Sequence, residues 1–256
     1  MIFADAVLAR RLEAAEAANA RGCSGPDTAV FEIAGGCAIF SGADSPLSQA
    51  VGLGLNGPVA DAQIAELETF FRSRGAPVAV DLCPHAEPGF IAALAARGYR
   101  VAEFNNVLVR RLEGLEIAFT PRVRRALAAE SDLWSYTVGH GFFEQAELTT
   151  AEMDIGRAVF AMPGAVCYLA VTESGRPAGG GALAIHDTLA TLFADSTIPA
   201  NRRAGLHREL IAARLNEALA RGCSLAAAST QPGSGSQRNY ERMGFQVAYT
   251  KATLKR

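Results

Sequence analysis

Apolar positions along the chain switch between helical and strand spacing, and glycines mark the switches. The first twenty-odd residues, MIFADAVLARRLEAAEAANARG, set short apolar stretches among Asp5, Arg10, Arg11 and Glu13, which predicts an amphipathic helix. From Ile64 to Arg110 the pattern predicts a helix, then Arg74-Gly75, a strand over Pro77–Leu82, a helix over Pro88–Arg97, Arg97-Gly98-Tyr99, and a strand ending VLVRRL. From Ile211 the order recurs: helix, Arg221-Gly222, strand Ser224–Ser229, a helix around Ser236–Arg242, Met243-Gly244-Phe245, and a strand ending ATLKR. Gly98 and Gly244 are 146 residues apart, and Gly75 and Gly222 are 147 apart, so the register holds with one indel. Each glycine follows a helix, where a left-handed residue is usual, and an aromatic follows two of them. The spacing predicts two related halves, residues 1–115 and 116–256, with a linker near Gly114–Pro121.

The second half contains further elements. Arg122–Tyr136 has helical spacing, Ala165–Thr172 is strand-like, Glu173-Ser174-Gly175-Arg176 is a hairpin turn, and Ala178–His186 returns. Thr188–Ile198 is another apolar strand. Antiparallel strands precede a strand–helix–strand unit, so the class is α+β: a mixed, mostly antiparallel sheet flanked by helices in each half.

Chemistry concentrates where the strand from Thr191 ends and a long helix begins about Gly205. The first N–H groups of a helix lack partners and its macrodipole is positive there, which makes an anion site. Gly205 allows close approach to the backbone, and Arg202 and Arg203 supply donors suited to phosphate oxygens. A solvated basic loop capping a surface helix explains the same residues. Downstream, Gln231 to Phe245 is a flexible loop entering a short helix, with Ser234 or Ser236 as N-cap. Tyr240 lies a turn inside it. Its ring packs on the sheet edge, or its hydroxyl faces the cleft and gives a proton to a leaving group.

Arg202-x-x-Gly205-x-His207 after a strand, with Tyr240-Glu-Arg-Met-Gly-Phe245 downstream, resembles the GNAT superfamily of acetyl-CoA-dependent N-acetyltransferases. The resemblance covers about Phe119 to the C-terminus, and reaches the first half only through the repeat. It implies acetyl-CoA as co-substrate, with Asp195, Ser196 and Thr197 running alongside the pantetheine arm. It also implies that the stretch Arg203, Ala204, Gly205, Leu206, His207 and Arg208, following Arg202, wraps the pyrophosphate, and that Tyr240 protonates the departing thiolate. The implied reaction is direct attack by a primary amine in a ternary complex. Three positions depart from the family pattern. His207 stands where Gly or Ala is usual, Gly233 where an asparagine often holds pantetheine, and Ala226, Ala227 and Ala228 fill a strand that can carry the base. The base is unassigned, with Asp195, Glu173 and His140 as candidates.

Composition narrows the classes. Half the residues are hydrophobic and a fifth charged, with net charge −2, which argues against a nucleic-acid partner. Five scattered cysteines without a C-x-x-C pair argue against a disulfide framework or zinc site, and no metal is expected. No signal-peptide core or membrane-length apolar run is present, so a soluble cytoplasmic protein with no membrane partner is expected. Gly52-Leu-Gly54-Leu-Asn-Gly57 satisfies a dinucleotide fingerprint in isolation. In the tandem reading these glycines match the Arg202–His207 loop without its arginines, and Leu94 falls opposite Tyr240. The first half then looks like a degenerate copy, serving as a cleft wall or a homodimer surface. An acyl-CoA-binding module without catalysis and a dinucleotide-dependent enzyme are the alternatives. The acceptor stays open among small amines, amino acids, antibiotics and protein N-termini, because acceptor residues come from loops such as Val138–Thr150.

Overall fold

A computed structural model describes residues 2–23, 25, 28–114, 117 and 122–256. The chain packs as two compact units, 1–107 with 247–256, and 108–246. Most of the linker expected over Gly114–Pro121 lies outside the described residues.

Unit 1 opens with helix α1 (Ala6–Gly22), whose N-cap Asp5 accepts from Leu8 N–H. Strands β1 (Ala29–Ile33) and β2 (Gly36–Phe40) form a hairpin, with Ala34 at φ 50° and Gly35 at φ 81° in the two-residue turn. Then come β3 (Gln49–Val51), α2 (Asp61–Arg72), β4 (Ala79–Leu82), α3 (Pro88–Ala96) and β5 (Arg100–Arg111). β3 and β4 run parallel, with α2 as their crossover. Residues alternate across this sheet. Ala38, Ala50 and Val80 pack with Ile64, Leu67 and Phe71 of α2 and Phe90 and Leu94 of α3, while Cys37, Ile39 and Val51 pack with Ala17 of α1.

Unit 2 contains β6 (Val123–Arg125), α4 (Ser131–Phe143), α5 (Thr150–Phe160), β7 (Val166–Val171), β8 (Pro177–His186), β9 (Leu189–Thr197), α6 (Leu206–Ala220), β10 (Leu225–Thr230) and α7 (Gly235–Arg242). Its strands order as the end of β5, then β10-β9-β8-β7-β6. Two expectations change here. Arg122–Tyr136 is not one helix, because Val123–Arg125 pairs antiparallel with Ala170–Tyr168, and the helix starts only at Ser131. The loop expected over Val138–Thr150 is helical as far as Phe143. α5 follows, its start fixed by a Thr149/Glu152 capping box. α6 buries Leu206, Leu210, Ile211 and Leu215 against Leu183, Ala190, Leu192 and Ala226. Trp134 of α4 is fully buried and donates to Tyr168 O at 3.0 Å.

The final strand β11 (Gln246–Lys255) belongs to unit 1, where the strand order is β1-β2-β3-β4-β11-β5. It carries a buried ionic cluster. Lys251 Nζ lies 2.6 Å from Glu16 and from Asp81 and 3.4 Å from Glu13, and Tyr249 OH donates to Glu13 at 2.8 Å. Among the described residues no helix is long and apolar enough to cross a membrane. All five cysteines are buried, and none forms a disulfide among the described residues.

Removing the Lys251 charge leaves three carboxylates facing one another in low dielectric. Lys251→Met is therefore expected to lower the unfolding free energy by about 3–5 kcal/mol in urea titrations. A loss below about 1 kcal/mol would mean the cluster does not hold β11 to α1.

Candidate functional site

Two parallel strands part in unit 2. β9 and β10 pair only from Leu189 with Leu225 to Leu192 with Ala228, although β9 continues to Thr197 and β10 to Thr230. Their carboxyl ends therefore open a wedge, the usual place for a ligand beside a parallel crossover. On the β9 side the ladder is irregular. Gly180 pairs with Ser196 and Ala182 with Phe193, so Ala194 and Asp195 together oppose Gly181. This is a β-bulge, and Ala194 takes φ 53° to make it.

Arg214 of α6 explains the bulge. It is fully buried and donates to Leu210 O and Ala182 O, each at 3.0 Å, and to the Asp195 carboxylate. A carbonyl of β8 thus gains a charged donor, and Asp195 is turned inward to pair it. Gly181 makes this fit. A Cβ there would lie 2.7 Å from Asp195 Oδ1 and 2.8 Å from Arg214 NH1.

Asp195 also accepts from the Tyr240 phenol and lies 3.7 Å from His207 Nε2. Burial pushes its carboxyl up, but Arg214, with His207 and the Tyr240 hydroxyl, outweighs burial and holds it at about 2. Tyr240 is 1% exposed, with its ring edge-on to His207 and Phe245 at 5.6 and 4.9 Å between centroids. Burial, then the Asp195 charge, holds its phenol well above the ordinary tyrosine range. Of the two serines expected to cap α7, Ser234 does so, accepting from Gln237 N–H at 3.1 Å. Next to Tyr240, Asn239 Nδ2 lies 3.1 Å from His207 Nδ1. Ser196 Oγ and Thr230 Oγ1 are buried with no hydrogen-bond partner among the described residues.

The loop before α6 has the form of an anion cradle. Arg203 takes φ 67° and Gly205 φ 84°, and Gly205 is the N-cap without a side-chain bond. Among the described residues the N–H groups of Arg203, Ala204, Gly205, Leu206 and His207 meet no backbone acceptor. Nothing lies nearer than 3.7 Å to where a Cβ of Gly205 would stand. Glu209, in the first turn, is paired by Arg122, which also donates to Ala204 O at 3.2 Å, so the acid does not oppose an incoming anion.

The expected site residues are brought together unevenly. Arg202 is committed to Glu144 at 2.7 Å, Gly141 O at 3.0 Å and Thr197 O at 3.2 Å, so it ties β9 to α4. Arg203 and Arg208 are exposed, and Leu206 is buried in the core. The Asp195 side chain faces Arg214, a residue that sequence reasoning did not single out. Among base candidates, Glu173 is exposed in the β7–β8 turn, and His140 on α4 has a buried Nδ1 without a partner among the described residues. No cluster of metal-binding side chains exists among the described residues.

These features coincide with a family match. Residues 121–245 match the acetyltransferase (GNAT) family model. The fold is similar to that of solved GNAT proteins, a tandem one among them. A GCN5-related N-acetyltransferase from Kribbella flavida superposes with TM-score 0.70 at 18% identity, covering 97% of this chain and 95% of that one. A tandem GNAT protein from the clavulanic acid biosynthesis pathway gives 0.62 at 16% identity, covering 98% and 93%. A GNAT-family putative acetyltransferase from Novosphingobium aromaticivorans gives 0.53 at 18% identity, covering 77% and 81%. At these identities the likeness is one of fold. The search of curated proteins found no significant match.

Because the folded Asp195 carboxyl sits below its unfolded value of 3.8, its stabilising contribution is present above about pH 4 and is lost as pH falls toward about 2. Asp195→Asn should flatten the stability of the chain over that interval, read as urea midpoints at successive pH values. An unchanged slope would show that the carboxylate is not held by Arg214.

Proposed function

We propose that unit 2 is an N-acetyltransferase that binds acetyl-CoA in the β9–β10 wedge and passes the acetyl group to a primary amine. The observation that carries this reading is the run of uncommitted amides from Arg203 to His207 beside the point where the strands part. Such a run suits a diphosphate, and the open approach to Gly205 leaves room for its oxygens. Thr230 Oγ1, at the end of β10 and without a hydrogen-bond partner among the described residues, offers a further polar partner.

In this reading a neutral amine nitrogen attacks the thioester carbonyl carbon, the C–S bond breaks, and the sulfur leaves with a proton. The oxygen that gains charge needs a fixed donor, a role this reading gives to backbone N–H groups at the β9 bulge. The amine must lose a proton to a base, for which Asp195 is poorly suited while Arg214 holds it ionised and paired. His140 is the better-placed candidate, since its Nδ1 is buried without a bond to satisfy it. Tyr240 is the proposed donor to the sulfur. To act it must trade Asp195 for the leaving group, because that bond and its burial make it a weak acid.

A second reading, a module that binds acyl-CoA without turnover, is favoured by that same commitment of Tyr240 to Asp195. Amine-dependent release of free thiol separates the two. In the enzyme, Tyr240→Phe should keep acetyl-CoA affinity within about twofold and lower kcat by about 10²-fold. Unchanged turnover removes Tyr240 from the chemistry, and absence of turnover with any amine in the parent protein favours the module. Gly205→Glu sets a carboxylate against the cradle and should weaken acetyl-CoA binding at least tenfold by calorimetry. Retained tight binding with an intact fold would rule the cradle out.

A further inference from the structure

Unit 1 contains a cavity of about 310 Å³ between α1 and the loop that follows β3. Arg10, Arg11, Glu13 and Arg21 of α1 line it, opposite Gly52 and Asn56 among others. Between Arg10 and Arg21 the helix contributes Ala14 and Ala17, whose small side chains leave a trench bounded by guanidinium groups. Arg21 is held in place by a two-point pair with Glu32, both contacts 2.6 Å. Glu13 is the one acid among the lining residues, and Tyr249 and Lys251 bind its two oxygens. Three arginines and one acid among the lining residues give the trench a positive balance on a chain whose net charge is −2.

The opposite wall suits the same charge. Gly52, Gly54 and Gly57 take φ of 73°, 71° and 133°, a winding path closed to most side chains. The loop is pinned at Gly54, whose N–H donates to Ala34 O at 3.2 Å and whose carbonyl accepts from Glu87 N–H at 2.8 Å. The N–H groups of Leu55 and Asn56 meet no backbone acceptor among the described residues. The adjacent helix start is no rival site. Gln63 of α2 turns back to accept from Ala60 N–H at 2.9 Å, and Asp61 stands in the first turn.

We infer that this trench is an anion site of its own, separate from the acetyl-CoA wedge, taking a compact phosphate-bearing ligand between the α1 arginines and the Leu55–Asn56 amides. Its size is at the lower end of small-molecule pockets, roughly 300–1,000 Å³, which suits a phosphate monoester or diphosphate better than a whole dinucleotide. Arginine forks and free amides are the donors that phosphate oxygens accept.

Calorimetric titration of the full chain with inorganic pyrophosphate tests this inference. Arg10 and Arg11 are exposed, so Arg10→Glu/Arg11→Glu should fold, and Arg10→Ala/Arg11→Ala is the milder control. The doubly charged variant should lose one binding site, or weaken it at least tenfold, with the alanine variant in between. Any site in unit 2 would persist in both variants and vanish only in Gly205→Glu, so the two readings fail separately. Isotherms of all three proteins that superpose would overturn the inference. Citrate competing as strongly as pyrophosphate for the arginine-dependent site would overturn the assignment to phosphate.

Discussion

A guanidinium buried beneath a sheet must find acceptors, and in unit 2 the shape of the wedge follows from how Arg214 finds them. Two β-strands cannot both keep regular register and offer a carbonyl and a carboxylate to the same group from below. β9 resolves this by bulging at Ala194–Asp195, which brings Asp195 to Arg214 beside the acceptors Ala182 O and Leu210 O. The bulge lies one residue beyond Phe193, just past the last pairing of β9 with β10 at Leu192. The strands thus separate where the buried pair sits. Tyr240 and His207 close around the same carboxylate, so α6 and α7 are set by it as well.

Much of this frame was legible from periodicity and glycine punctuation. Gly75, Gly98, Gly222 and Gly244 all take positive φ at helix ends, as their places in the repeat implied, and Gly205 opens α6 where the break in pattern put it. The short strand Val123–Arg125 was hidden because three residues are too few to show a period of two, and the helical spacing beyond it absorbed them. The bulge had no signal. Alanine is an unusual residue for φ 53°, and only the spatial neighbours of Gly181 reveal why position 181 lacks a side chain. Arg214 looked like one more charge on a long helix, since a sequence does not say which arginine faces inward. Arg202 shows the limit from the other side. It sits on the motif, yet its donors are spent on Glu144, Gly141 and Thr197.

The two units apply one topology to different electrostatic ends. Each has a parallel strand pair crossed by a helix, α2 in unit 1 and α6 in unit 2. In unit 2 the helix start keeps its amides unspent and its acid neutralised by Arg122. In unit 1 the Gln63 side chain turns back on the corresponding start to accept from Ala60 N–H, and arginines of α1 line the cavity beside the loop. A degenerate repeat need not be inert, since losing one set of donors leaves the glycine loop free to face another element.

The account rests on where a diphosphate meets the backbone. Titrating the ¹⁵N-labelled chain with CoA while following backbone amide resonances tests that most directly. The amides of Arg203 to His207 should move together along one saturating curve, because hydrogen bonds to phosphate oxygens shift N–H resonances strongly. CoA that saturates the protein while those amides stay still would place the nucleotide elsewhere and contradict the account.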